Sequence, residues 1–182
     1  DSQEWAGSID LQDNLAFVAR GPQGWKIYDI TDPENILTVA VVPESSGGTQ
    51  YVKIVGSLAY VRVADGIRIY DVSNPAGPVF LSSYPVSSGK SGLLEISGDQ
   101  VYVTKSDLGF EVVDVSDPLH PASISQVDTL GYVQALMLNG DQLYIADNNG
   151  GMQLFSPSTN LAGIAQSPTV AVSMPAPVIP AL

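Results

Sequence analysis

Three charged residues recur at nearly constant spacing and are the first candidates for chemistry. Asp10, Lys53 and Glu95 are separated by 43 and 42 residues, and Met137 follows 42 residues later. Each stands between two apolar residues in a short run typical of a β-strand. Two carboxylates beside a channel that binds a small ligand could act as acid and base, as in glycoside hydrolysis. Salt bridging or hydration among the same side chains is the simpler interpretation.

Oxygen-bearing side chains cluster at 147–151, which reads Asp-Asn-Asn-Gly-Gly. A calcium ion could bind there, because calcium prefers carboxylate and amide oxygens, but the later acidic ligand of an EF-hand loop is missing. Asp29, Asp71 and Asp114 each precede a Ser or Thr, an Asp or Asn, and a Pro. That pattern is typical of a carboxylate that caps a turn. Calcium at 147–151 aside, we expect no metal and no cofactor.

The remaining chemical motifs are weaker. The Gly-Lys-Ser run at 89–91 resembles the end of a phosphate-binding loop, but Tyr84 stands where the first glycine belongs and no helix is predicted to follow. His120 is the only histidine, and its surroundings, Asp-Pro-Leu-His-Pro-Ala, favour a surface turn. We therefore expect no catalytic residue.

Composition excludes several classes of function. The 182 residues contain 7 basic and 19 acidic side chains, for a formal net charge of −12. This balance argues against nucleic acid and against an anionic membrane surface, both of which need basic patches. Absence of cysteine excludes disulfides and thiolate chemistry. The sequence contains no stretch of about 18 apolar residues, so we expect no membrane span.

An internal repeat dominates the sequence. Four copies align with spacings of 42 or 43 residues in three independent columns. The columns are Leu11, Ile54, Ile96 and Leu138; Phe17, Tyr60, Tyr102 and Tyr144; and Gly24, Gly66, Gly109 and Gly151. Each copy has short runs rich in Val, Ile, Leu and Tyr, separated by turn residues, and no segment with helical periodicity.

This pattern predicts an all-β fold, a small β-propeller of four four-stranded blades. The blades should span about 8–44, 49–85, 92–129 and 133–167, within a domain of 1–167. The first run of each copy should lie at the central axis, with Ile9, Val52, Leu94 and Leu136 in the core. The ring could close within one chain or form part of a larger ring.

The third run of the repeat resembles a known family. GIRIYDVSNP and GFEVVDVSDP, with GWKIYDITDP close to them, resemble the LVIVD repeat, a β-propeller repeat of secreted and cell-surface bacterial and archaeal proteins. The resemblance covers roughly 8–167, and the fourth copy departs from it at Ser156, Pro157 and Asn160. It implies an extracytoplasmic location, periplasmic, cell-surface or secreted, and it implies no enzyme activity.

Residues 168–182 form an apolar, proline-rich tail without an ionisable side chain. Such a segment could fray, pack on its own propeller, or bind a neighbouring protein by strand addition. The expected function is a non-enzymatic scaffold that binds other protein subunits or itself, with this tail as tether. The alternative is a hydrolase or carbohydrate-binding propeller that uses polar residues at the axis. The predicted partner-binding residues are Val170, Val172, Met174, Pro175, Val178, Ile179, Asn148 and Asn149.

Overall fold

The computed structural model describes residues 5–45, 47–86, 92–105, 109–129, 131–140, 142–148 and 150–155, and all regular structure in them is β-strand. Sheet 1 contains β1 (Ser8–Gln12), β2 (Leu15–Ala19), β3 (Trp25–Asp29) and β4 (Leu37–Val42). Sheet 2 contains β5 (Thr49–Val55), β6 (Leu58–Val63), β7 (Gly66–Asp71) and β8 (Val79–Pro85). Sheet 3 contains β9 (Leu94–Ser97), β10 (Gln100–Thr104), β11 (Phe110–Asp114) and β12 (Ala122–Val127). Sheet 4 contains β13 (Val133–Asn139), β14 (Gln142–Asp147) and β15 (Gly151–Phe155).

Neighbouring strands in every sheet are antiparallel and consecutive in the chain. The prediction of an all-β chain built from four antiparallel sheets is therefore confirmed. The residues predicted to complete the fourth blade, 156–167, and the tail 168–182 lie outside the described residues. The boundary between propeller and tail accordingly stays a prediction.

The hairpin turns recur as the repeat predicts. The first and second strands of the four sheets join through Asp13, Gly56, Gly98 and Gly140, whose φ angles lie between +53° and +59°. Glycine adopts this left-handed conformation without a steric penalty, and aspartate tolerates it better than most residues. An irregularity in the pairing of the third and fourth strands also recurs, after Ile27, Ile69 and Val112.

The third strands end in the predicted aspartate caps. The Oδ1 atoms of Asp29, Asp71 and Asp114 accept hydrogen bonds from the backbone N–H two residues later, at 2.8, 2.8 and 2.9 Å. Hydrogen bonds from Thr31 and Ser73 lower the pKa of Asp29 and of Asp71. These carboxylates therefore cap turns, as the sequence predicts.

The core lies between consecutive sheets. We call the face of a sheet that turns toward the preceding sheet its leading face, and the opposite face its trailing face. The trailing face of sheet 1, with Phe17 and Trp25, packs on the leading face of sheet 2, with Val52 and Tyr70. Trp25 and Tyr70 meet edge to face at 5.3 Å between ring centroids. Equivalent clusters join sheet 2 to sheet 3 and sheet 3 to sheet 4.

One core prediction is wrong. Val52, Leu94 and Leu136 are buried as expected, with exposed fractions of 1, 0 and 8%. Ile9, the equivalent residue of the first copy, is 62% exposed. The physical reason is its position at the start of the row of sheets, where no described sheet covers the leading face of sheet 1.

A paired glycine test checks the packing of the third strand on the fourth. Gly109 has φ +78°, and a Cβ there would lie 2.0 Å from the carbonyl oxygen of Val127. Gly98 has φ +54°, with open space around its Cβ position among the described residues. We expect Gly98→Ala to cost about 1 kcal/mol of the free energy of unfolding, from its backbone conformation alone. Gly109→Ala should cost about 3 kcal/mol or more, because the collision adds to that strain. Urea denaturation of both variants measures the difference, and equal losses would contradict this packing.

Candidate functional site

The first strands of the four sheets lie next to one another in chain order. β1 contacts β5, β5 contacts β9, and β9 contacts β13. These strands are therefore the inner strands of the arc, as predicted. β1 and β13 are both fully described and share no comparable contact. Closure of the ring within one chain is not shown by these residues.

A polar cluster forms along the inner strands. Lys53 Nζ lies 3.5 Å from Glu95 Oε2, so these two charges meet across neighbouring sheets as expected. Tyr51 shares their surroundings: burial, followed by the negative charges of Glu95 and Asp10, raises its pKa, and Lys53 opposes this shift. The cluster thus combines two carboxylates, an ammonium and a phenol.

Asp10 has a structural partner of its own. Its Oδ2 accepts a hydrogen bond from the backbone N–H of Ile54 at 2.7 Å. Beside it, Ser8 Oγ accepts from the N–H of Val52 at 2.8 Å, and Gln12 Nε2 donates to the carbonyl of Gly56 at 3.0 Å. Side chains of β1 therefore satisfy the backbone groups along the inner edge of β5. Of the two carboxylates considered as an acid–base pair, Asp10 accepts a hydrogen bond from the backbone of β5 and Glu95 forms an ion pair with Lys53.

Asp147 and Asn148, the first two residues of the 147–151 cluster, are held by hydrogen bonds to residues outside it. Asp147 is buried, and its Oδ2 accepts from the N–H of Gly131 at 3.0 Å and from Gln153 Nε2 at 2.6 Å. Asn148 is exposed, and its N–H donates to the carbonyl of Tyr132. An open depression of about 250 Å³ adjoins this corner. Within the described ranges, no three acidic or histidine side chains are grouped so as to ligate a metal ion.

The other predicted residues separate into two groups. His120 is exposed, and its Nδ1 lies 2.8 Å from Asp117 Oδ2 in a surface turn, as expected. The remaining predicted partner-binding residues lie outside the described residues, as does the Gly-Lys-Ser run at 89–91. They are Asn149, Val170, Val172, Met174, Pro175, Val178 and Ile179.

Polar contacts reinforce the boundaries between sheets. Glu44, which follows sheet 1, accepts a hydrogen bond from the hydroxyl of Tyr70 in sheet 2 and lies 3.5 Å from Arg68 Nε. Burial, followed by that hydrogen bond, raises the pKa of Tyr70. Between sheets 2 and 3, the hydroxyl of Tyr84 donates to Glu111 Oε1 at 2.7 Å. Glu111 occupies the repeat position of Arg68, so the same place joins both pairs of sheets.

The two ends of the arc carry apolar faces that no described sheet covers. On the leading face of sheet 1, Ile9 and Leu11 are 62% and 59% exposed. On the trailing face of sheet 4, Met137 and Met152 are 66% and 50% exposed. We call these the leading end face and the trailing end face. Exposed apolar side chains grouped on one face mark an interaction surface.

The sequence left closure of the ring open, and an open ring exposes two apolar faces, but none of these residues was predicted as a site. Aligned columns assign one environment to every copy, so Ile9 was placed in the core with Val52. Equivalent columns do not say whether a further sheet covers a given copy. Met137 carried a signal, since an apolar residue stands there where the other copies have Asp10, Lys53 and Glu95.

The successive antiparallel sheets define a β-propeller repeat protein. The model of the LVIVD repeat matches residues 46–86, 88–129 and 130–154, more than half of the chain. The chain therefore belongs to the LVIVD-repeat family, and the resemblance stated from the sequence is confirmed. No curated protein matches the chain in sequence.

Several solved structures share the fold at low sequence identity. The periplasmic gluconolactonase of Pseudomonas aeruginosa superposes with a TM-score of 0.74 at 14% identity, over 90% of this chain and 53% of that chain. The Myceliophteria thermophila Cps50 (Swd1) β-propeller domain gives a TM-score of 0.70 at 13% identity, over 85% and 56%. The computationally designed Ika4 protein gives 0.67 at 13% identity, over 86% and 93%. The chain thus spans about half of the first two structures.

The described part of the chain contains no helix that is long and apolar enough to cross a membrane.

Substitutions at Asp10 test whether this carboxylate stabilises the fold by accepting the hydrogen bond from the Ile54 N–H. Asp10→Ala removes the acceptor of the Ile54 N–H and should lower the free energy of unfolding by about 1 kcal/mol. Asp10→Asn keeps an acceptor oxygen at the same place and should lose much less. Thermal and urea denaturation measure both variants. Equal stability of wild type and Asp10→Ala would contradict the edge-binding role.

Proposed function

We propose that this chain is a non-enzymatic propeller scaffold that acts as a subunit of a larger protein assembly outside the cytoplasm. The observation that carries the proposal is the pair of end faces. Ile9 and Met152 are exposed on these faces, whereas their repeat equivalents Val52 and Phe110 are buried between sheets. A contact that buries both faces would stabilise the arc through the hydrophobic effect.

The inner-strand contacts support a structural role for the axis. Asp10 binds a backbone N–H of the next sheet, and Lys53 pairs with Glu95. Each of these charged groups thus has a partner that holds neighbouring sheets together.

The location and the tail belong to the proposal on sequence grounds. The extracytoplasmic location rests on the resemblance to repeats of secreted and cell-surface proteins. The tail, 168–182, is apolar and rich in proline, and we assign it the role of a tether to a neighbouring subunit.

The native size of the protein tests the proposal. In its source cells, the protein should occur in an extracytoplasmic fraction and migrate on native gels above the size of the 19.1 kDa chain. Immunoblots of osmotic-shock and surface fractions, run in parallel with the denatured chain, give the comparison. A native species of monomer size would contradict the assembly role, and a cytoplasmic location would contradict the proposed compartment.

A hydrolase or carbohydrate-binding propeller is the second candidate function. It is favoured by the cluster of Tyr51, Lys53 and Glu95 on the inner strands. The structural likeness to a gluconolactonase suggests a sugar lactone as the first substrate to assay, although the likeness extends only to the fold.

Glu95→Gln tests the catalytic alternative, because it removes the carboxylate and keeps the shape. The scaffold role predicts that neither the wild-type chain nor the variant hydrolyses glucono-lactone faster than buffer alone. Turnover by wild type that Glu95→Gln abolishes, while Asp117→Asn at an exposed turn leaves it intact, would replace the scaffold with an enzyme.

A further inference from the structure

We propose that the partner of both end faces is a second copy of this chain. The trailing end face of one copy packs on the leading end face of the other, and the same contact repeats on the opposite side. Two arcs of four sheets then form one closed ring of eight sheets. This inference rests on the proposed assembly role and names its partner.

The leading end face repeats a surface that already binds a sheet. Sheet 2 presents Val52, Ile54, Arg68 and Tyr70 to sheet 1, and the repeat places the residues of sheet 1 at the same positions. The equivalent residues are Ile9, Leu11, Lys26 and Tyr28. Exposed fractions fall from 59% at Leu11 to 9% at Ile54 where the neighbouring sheet is present. Sheet 1 thus has the apolar pair and the cation–tyrosine pair that receive a preceding sheet.

The cation–tyrosine position differs between the internal contact and the proposed one. In sheet 2, Arg68 and Tyr70 both contact the carboxylate of Glu44, which follows sheet 1. In sheet 1, Lys26 Nζ lies 5.8 Å from the ring centroid of Tyr28. The fourth copy has no acidic residue after Asp147, so the proposed contact depends on the apolar residues Ile9 and Leu11.

The trailing end face of sheet 4 resembles the trailing face of sheet 3, which packs on sheet 4. Met137, Tyr144 and Leu154 form one row across sheet 4. The equivalent row of sheet 3 ends in Tyr102 and Val112, which are both buried against sheet 4. The tyrosine is held in the same way in both sheets: its hydroxyl donates at 2.8 Å to the Oε1 of Gln100 in sheet 3 and of Gln142 in sheet 4.

A second copy covers both faces through one symmetric arrangement. The leading and trailing end faces differ, so each contact joins unlike surfaces, and a two-fold axis repeats it once and closes the assembly. The resulting eight sheets lie within the usual range of four to eight blades. The chain also superposes on about half of two longer propeller chains, as part of a larger ring would, and on most of the designed Ika4 chain.

Light scattering of the purified full chain is the first test. The expected mass is twice 19.1 kDa. A monomer would overturn the inference, as would a series of masses that grows with concentration, which indicates open polymers. A chain ending at Ser167 should keep the doubled mass. Its loss on truncation would assign the contact to the tail instead.

Charged substitutions on the two faces identify the contact. Ile9→Glu alters the leading end face and Met152→Glu the trailing end face, and each alone should give monomers. Both sites are already exposed within one chain, so circular dichroism should show unchanged β-structure. Leu11→Glu is a second leading-face variant should Ile9→Glu misfold. Val79→Glu, at an exposed site on the outer strand of sheet 2, is the matched control and should leave the mass doubled.

Mixing the two monomeric variants gives the decisive result. Each variant retains the face that the other lacks, so an equimolar mixture should recover a dimer held by one intact contact. Dimers that persist in either single variant, or a mixture that stays monomeric, would overturn the pairing of unlike faces. If the native protein is assembled while the purified chain is monomeric, only this inference fails and the proposed function stands.

Discussion

A β-sheet with two apolar faces must be covered on both sides, and the whole structure follows from this constraint. The sheets of this chain bury Phe17, Tyr60 and Tyr102 on their trailing faces and Val61, Val103 and Ile145 on their leading faces. No single sheet can bury both sets. When sheets stack side by side, the faces inside the row are buried against neighbouring sheets. The two outermost faces stay exposed, as Ile9 and Met152 show.

Backbone hydrogen bonding imposes a second requirement at the inner edge of each sheet. A strand at an edge leaves N–H and carbonyl groups without a ladder partner. Here Ser8, Asp10 and Gln12 bind that edge of β5, and the Lys53–Glu95 pair links β5 to β9. The polar residues on these inner strands are therefore explained by their role in holding neighbouring sheets together, without a catalytic role.

Much of the fold could be predicted because its signals are local. The glycine at Gly56, the aspartate cap at Asp71 and the alternation along β6 each act within a few residues, and the 42-residue period aligns them. The exposure of Ile9 could not be predicted this way, because it depends on whether another sheet covers sheet 1, and no described sheet does. The bond from the Ile54 N–H to Asp10 was missed for a related reason: backbone acceptors and donors leave no mark in side-chain patterns.

Cross-linking between the end faces tests the central claim most directly. The chain has no cysteine, so Ile9→Cys and Met152→Cys can be made singly and together without a background. A bismaleimide that spans the roughly 10 Å between packed sheets should join the two single variants, when mixed, into a species of twice the chain mass on a denaturing gel. Failure of that mixture to cross-link, with efficient closure of the double variant into a monomer within one chain, would contradict the account.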